Sequence, residues 1–163
     1  MVAFLYNFDY DDDVPDEADM SLLQLHARMF ALADQYDIPG LGALALRKYS
    51  SRCTVSWNPI EFLVSIQDVY ETTPSCTRQL RKTACMAIRK HLPNMLQDEH
   101  VAQICEGVLT ENVEFTKDLL RTYVSDPFYG NCRSCGSDQS MEVLQGRCKK
   151  CGRGNSGFGW SHS

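Results

Sequence analysis

Residues 20–49, MSLLQLHARMFALADQYDIPGLGALALRKY, carry the strongest structural signal in the chain. Ser21, with Gln24 three residues on, has the spacing of a capping box and predicts a helix start. Leu22, Leu25, Met29, Leu32, Ala33 and Tyr36 recur at three- and four-residue steps, so they fall on one helical face. Leu23, Ala27, Phe30 and Ala31 widen that face, which predicts burial on more than one side. Proline lacks a donor N–H and disfavours helical geometry in the residue before it. Ile38 is therefore expected to end this helix and Pro39 to open the next. Leu41, Leu44, Ala45 and Tyr49 continue the apolar stripe, and the small residues Gly40, Gly42, Ala43 and Ala45 permit close helix approach. Nothing on this hairpin has the chemistry of a catalyst, so its expected role is to be packed against.

The same patterning extends downstream. Ser50 to Trp57 reads as a connector. Asn58, Pro59 and Glu61 form a cap, a first-turn proline and a capping-box partner, followed by an inward stripe of Phe62, Ile66, Val69 and Tyr70. Pro74 ends that unit and Ser75 caps the next, which carries Leu80, Ala84, Ala87, Ile88 and Leu92 and closes at Pro93. A short helix is expected around Val101, Ile104, Cys105 and Val108, and Thr110 is the expected cap of a last one with Phe115, Leu119, Leu120 and Tyr123. Up to Ser125 the pattern is all-helical with short connections, which predicts successive antiparallel helical hairpins.

Size and charge bound the function. A chain of 163 residues, 44% hydrophobic and 23% charged, holds one ordinary domain or one plus a small module. No apolar run reaches the roughly 18–20 residues needed to span a bilayer. Met1 to Tyr6 lacks the basic region of a secretory signal, so the expected location is cytoplasm or nucleus and no membrane partner is expected. The net charge of −5 is uneven: 11 Lys/Arg stand against 19 Asp/Glu up to Asp126, and 5 against 2 from Pro127 onward. Asp9 to Asp19 holds seven carboxylates and Pro15 and reads as a solvated loop, since it lacks the alternating ligands and glycine turn of a calcium loop. The pairs Arg81-Lys82 and Arg89-Lys90 read as a solvated outer face. His26, His91 and His100 read as packing or surface residues. No nucleophile–base order, phosphate loop or paired inward carboxylates stand out, so no enzyme is expected.

The eight cysteines fall into two sets. Cys53, Cys76, Cys85 and Cys105 lie in helical patterns, where a thiol behaves as a small hydrophobe. Cys132-Arg133-Ser134-Cys135-Gly136 and Cys148-Lys149-Lys150-Cys151-Gly152 are two C-x-x-C-G knuckles separated by 12 residues. Two thiolates two residues apart can turn inward around one ion, and the following glycine permits the tight backbone. Four sulfurs complete a tetrahedral shell, so Cys132, Cys135, Cys148 and Cys151 are the expected ligands of a structural zinc with no position open to water. The intervening residues suit a small β-hairpin carrying Met141, Val143 and Leu144. Iron satisfies the same spacing. A redox pair would need a βαβ setting, and a disulfide pair would need export. Arg133, Arg147, Lys149, Lys150 and Arg153, with Trp160 nearby, leave open a nucleic-acid contact through this basic tail; a local staple or protein contact is the preferred reading. Residues 154–163 are Gly/Ser-rich and read as a flexible tail.

Phe4-Leu5-Tyr6-Asn7-Phe8-Asp9-Tyr10 resembles the aromatic "Y-L-Y-T-G-D-Y" segment of BTB/POZ domains of the kind abundant in fungi, with Phe8 where glycine is usual. Leu25 to Leu41, LHARMFALADQYDIPGL, resembles that family's "H-A-x-V-Y-x-L-A-D-K-Y-x-I-x-G-L" hairpin. The helices from Asn58 to Ser125 resemble, by order and spacing, the helical extension that follows such domains. The patterning, the cysteine spacing and the resemblance together predict a mainly α chain in four parts. Residues 1–53 would be a partial BTB/POZ domain without its sheet-bearing half, and 54–126 the helical extension. Residues 127–153 would be the four-cysteine zinc-ribbon-like module and 154–163 a flexible tail. In function the resemblance implies a non-enzymatic protein-interaction module: an adaptor or scaffold with a protein partner, a cullin-type scaffold or a further copy of itself. The alternative is a zinc-ribbon nucleic-acid-binding or transcription-associated protein.

Overall fold

The structure, a computed structural model, describes residues 8–12, 20–72, 78–125, 128–132, 134–142, 147–148 and 150–151. The described residues are mainly helical. Helices α1 (Leu22–Gln35), α2 (Pro39–Val55), α3 (Pro59–Thr72), α4 (Arg78–Met95), α5 (Glu99–Glu111) and α6 (Val113–Ser125) follow one another. Strands β1 (Phe128–Cys132), β2 (Gly136–Glu142) and β3 (Arg147–Cys148) form an antiparallel sheet in the order β1-β2-β3. The chain divides into two compact units, Met1–Leu119 and Leu120–Ser163. The expected connection at Pro74 and Ser75, like the tail 154–163, lies outside the described residues.

The first hairpin forms for local reasons. Ser21 Oγ accepts from the Gln24 N–H at 3.2 Å while the Gln24 side chain accepts from the Ser21 N–H at 3.0 Å, a complete capping box. The helix ends at Gln35, three residues before Ile38, because a Schellman turn intervenes. The Ile38 N–H reaches back to the Ala33 carbonyl at 2.8 Å and the Asp37 N–H to that of Asp34 at 3.4 Å. Asp37 sits at φ 51°, a left-handed conformation that glycine adopts without a Cβ penalty. Asp37→Gly is accordingly expected to raise unfolding free energy by about 0.5–1 kcal/mol, read by urea denaturation. Unchanged stability would mean that the carboxyl group compensates the strain. Pro39 then opens α2 at its first position, as its fixed φ favours.

The register of the hairpin follows from shared contacts. A Cβ on Gly42 would meet Ala33 Cβ at 3.6 Å. His26 and Lys48 both contact Tyr10. Leu23 and Arg52 both bond Glu61. One number falls as the other rises, so α1 and α2 run antiparallel. The 3.6 Å separation is ordinary van der Waals contact, so the packing here does not require glycine at 42.

Several sequence expectations shift once tertiary contacts are present. The segment Ser50–Val55 is helical rather than a connector, because Cys53 is buried and Arg52 pairs with Glu61 at 3.1 Å. Asn58 caps α3 by accepting from the Ile60 and Glu61 N–H groups. The Glu61 carboxylate does not complete that box. It accepts from the Leu23 N–H at 3.2 Å, placing negative charge at the N-terminus of α1. Pro93 does not end α4; the helix runs on to Met95, which is buried and anchors the last turn. Pro93 forgoes the one bond its missing N–H would have made to the Arg89 carbonyl, and the turn is carried on by the Leu96 N–H, which reaches the Leu92 carbonyl at 3.0 Å. Thr110 bonds the Glu106 carbonyl inside α5, and Asn112 separates α5 from α6.

The core of the first unit gathers where α3 crosses the hairpin. Phe62, Leu63, Ile66 and Val69 are fully buried beside Leu23, Leu41 and Tyr49. Ser65 gives its hydroxyl proton to the Phe62 carbonyl at 2.8 Å, so Tyr49 donates to Ser65 Oγ at 3.0 Å. On the other flank the Asp68 carboxylate accepts from Gln24 Nε2 and Arg28 Nε, each at 2.6 Å, tying α3 to α1. Helix α4 packs against α2 and α3, and α5 against α3 and α4. Tyr70 donates to Asp118 at 3.3 Å and packs on Phe115 with ring centroids 5.4 Å apart.

Candidate functional site

Among the described residues, two surfaces of the first unit and the cysteine knuckles of the second are candidates for recognition or chemistry. The first surface is one side of α1. The helix buries Leu23, His26, Ala27, Phe30 and Ala33. Leu22, Leu25, Met29 and Leu32, read from the sequence as its inward face, are only half-buried, and Tyr36 is 56% exposed. Apolar residues cover well over half the circumference of this helix, and α2 and α3 pack on α1.

Beside that face lies a clasp made by residues 8–12. The Tyr10 hydroxyl shares a 2.8 Å hydrogen bond with His26 Nδ1. Lys48 Nζ lies 4.2 Å from the centre of the Tyr10 ring, bonds the Tyr10 carbonyl at 2.8 Å and pairs with Asp9 and Asp12 at 2.7 Å each. The hydrogen bond from Lys48 holds the Asp9 carboxyl below its ordinary value, and burial pushes the Tyr10 phenol up. Burial lowers His26 below its ordinary value of 6.5, with Lys48 and Arg52 acting the same way and Asp12 and Glu61 opposing. The unfolded chain then takes a proton at His26 near pH 6.5, and the folded chain only at lower pH. Between those points the unfolded state holds more protons, so stability falls as pH falls through that window. His91, lowered by burial and by Lys90, adds the same sign. Thermal melting at pH 7.5 and about 5.5 is expected to show this loss, and His26→Gln, which keeps an acceptor for Tyr10, to shrink it. Identical slopes in both proteins would remove His26 as the cause.

The second surface is a groove between α2 and α4, formed by two adjoining cavities of about 840 and 460 Å³. Ala33, Leu46 and Cys53 are among its apolar residues, and Met86 stands 44% exposed at its edge. Burial pushes the Cys53 thiol up to about 12, so it is a hydrophobic lining and not a nucleophile. The basic pairs of α4 split between interior and rim. Arg81 and Arg89 are 9% and 4% exposed, whereas Lys82 and Lys90 face solvent. Arg81 lies over the Tyr70 ring at 4.6 Å and donates to the Tyr70 carbonyl. The sequence reading puts both pairs on the outer face, but adjacent residues on a helix point 100° apart, so one member of each pair turns inward. His91 stacks on Trp57 at 3.9 Å, a packing role, and His100 is exposed.

For the knuckles, the side chains of Cys132 and Cys148 lie outside the described residues. The backbone places Cys132 at the end of β1, opposite Gly136, and Cys148 in β3, opposite Met141. Cys135 is half-buried and Cys151 exposed, each in a turn. Gly136 takes φ 90°, the conformation for which glycine follows a knuckle cysteine. The partners of Cys132 and Cys148 are five residues, about 17 Å, apart along β2 if it is extended. Among the described residues no three His, Cys, Asp or Glu side chains converge as a metal group. Arg147 pairs with Glu142 in the sheet register and Lys150 is exposed, whereas Arg133, Lys149, Arg153 and Trp160 lie outside the described residues. No helix among the described residues is long and apolar enough to cross a membrane. In comparisons with known proteins, no family model, no curated protein and no solved structure matches this chain.

Proposed function

We propose that the chain is a non-enzymatic protein-interaction module of BTB/POZ type, an adaptor or scaffold whose cysteine-rich end is held by a structural zinc. The observation that carries this reading is the α1 face, where Leu22, Leu25, Met29, Leu32 and Tyr36 remain half-buried or exposed. Contiguous apolar surface of this kind is costly in water and marks a contact with another protein. The resemblance is supported by the tight α1–Pro39–α2 hairpin and by Phe8. Phe8 sits at φ 54°, a conformation that glycine, usual at that place in the family segment, adopts freely. Through its thiolates, the four-cysteine set would supply zinc with a closed tetrahedral shell that staples a segment too small to fold on apolar burial alone.

A photo-crosslinking amino acid placed at Met29 tests the reading. In extract of the source cells it should form an adduct with a defined protein, competed by unmodified chain and lost in Leu25→Glu. Absence of any competable adduct overturns it. The nucleic-acid reading rests on the cations around the knuckles and makes a different forecast. Binding of the full chain to single-stranded DNA or RNA should then fall steeply with salt, and no binding at low salt removes it.

A further inference from the structure

We infer that the groove between α2 and α4 receives an amphipathic helix of a partner protein that carries carboxylates on its flank. The inference deepens the protein-interaction reading and rests on it. Residues from Pro39 to Ser50 of α2 meet Arg78 to Thr83 of α4 at one end, and Leu46 to Thr54 meet Gln79 to Lys90 at the other. Both helices therefore advance in the same direction along the groove. From Arg78 to Lys90 it runs about 18 Å, the length of a three-turn helix. Two parallel helices with an apolar cleft between them offer the ridges and furrow into which a third helix lays its apolar face.

Charge selects the occupant. Helix α4 holds five Arg and Lys and no Asp or Glu in its 18 residues. Arg81 and Arg89 are buried, whereas Arg78, Lys82 and Lys90 line the groove rim. Across from them Arg47 adds a further cation on α2. Among the described lining residues, carboxylates enter at one end, where Asp34 and Asp37 sit with Arg47 and Arg78. The half lined by Lys82, Met86 and Lys90 contains no acid among the described residues that line it. A helix with acids on one edge gains most when they lie over Lys82 and Lys90 with its apolar face on Leu46 and Met86. The surrounding unit is acidic overall, which repels such a partner at long range. Attraction is thus confined to the groove and is sensitive to salt.

The test uses the full chain. A random peptide library displayed on phage is panned on wild type and, in parallel, on Lys82→Glu/Lys90→Glu and on Met86→Glu. These positions are solvent-exposed, so folding should persist, and circular dichroism melting checks this. The expected result is enrichment of sequences with net negative charge and apolar residues at helical spacing. The enriched peptide, labelled for fluorescence anisotropy, should bind at least about tenfold more weakly to either variant and weaken as salt rises from about 50 to 500 mM. Amide shifts in a heteronuclear NMR spectrum should concentrate at Leu46, Ser50, Thr83 and Ala87. Enriched peptides without acidic bias, or with affinity unchanged in both variants, overturn the groove assignment while leaving the interaction reading intact. No enrichment overturns it as well, as does light scattering that shows a second copy of the chain seated there. Failure of the broader reading is read separately, by the absent adduct at Met29.

Discussion

Phe62→Ala is expected to lower the unfolding free energy by about 3–5 kcal/mol, the range for removing a fully buried phenylalanine. Phe62 has no exposed surface, packs on Trp57 with ring centroids 4.9 Å apart, and belongs to the helix that crosses the first hairpin. The truncation removes transfer free energy and leaves a cavity that the Tyr49–Ser65 bond and its neighbours resist filling. Against a typical net stability of about 5–15 kcal/mol, the loss is a large fraction of the whole. The melting temperature should fall by about 10–20 °C. Trp57 fluorescence reports the transition at the affected site. Val64→Ala, one residue pair along α3 and 47% exposed, serves as the control and should shift stability by less than about 0.5 kcal/mol. A Phe62→Ala cost below about 1 kcal/mol would contradict the placement of α3 against the α1–α2 hairpin.

Loss of the proposed zinc from the second unit would be the other large effect. If the four knuckle cysteines hold zinc, purified chain should contain about one zinc per molecule by elemental analysis. Cys148→Ser should abolish it, whereas Cys105→Ser, a buried thiol of α5, should not. Structural zinc sites of this size contribute apparent binding free energies of about 10–16 kcal/mol, so a strong chelator should unfold the segment outright. Amide signals of β1 and β2 should collapse to random-coil positions while those of α1 to α5 remain. The strand register sets a further demand. With the partners of Cys132 and Cys148 about 17 Å apart along β2, one shared ion requires the strands to bend or re-pair. Zinc-loaded protein should therefore show cross-strand contacts at Met141 and Cys148 that differ from this register. Metal-free protein with intact strand signals would remove the staple.

Much of the helical plan was legible in local sequence because its causes are local. The Ser21–Gln24 capping box, the Asn58 cap and Pro39 at the head of α2 each act within one turn, and each stands where its chemistry directs. The mainly α architecture follows from the same apolar periodicity. The phase of that periodicity did not follow. Helix α1 is apolar around most of its circumference, so its pattern permits two inward faces. Only the arrival of α3, with Phe62, Leu63 and Ile66, decided that Leu23, Ala27 and Phe30 go inside while Leu25 and Met29 stay half-buried.

The same division holds for the candidate sites. Five cations on α4 are visible in sequence, but their roles are not. Tyr70 offers Arg81 a ring face and a carbonyl, so that guanidinium turns inward, and the lysine beside it is left on the groove rim. Glu61 had the spacing to cap its own helix and instead meets Leu23 and Arg52 from two others. Short-range hydrogen bonds and backbone preferences settle where helices begin and turn, and they are written in neighbouring residues. Which face is buried and which charge is desolvated depends on groups far along the chain, as Glu61 is from Leu23, so only the assembled core decides them.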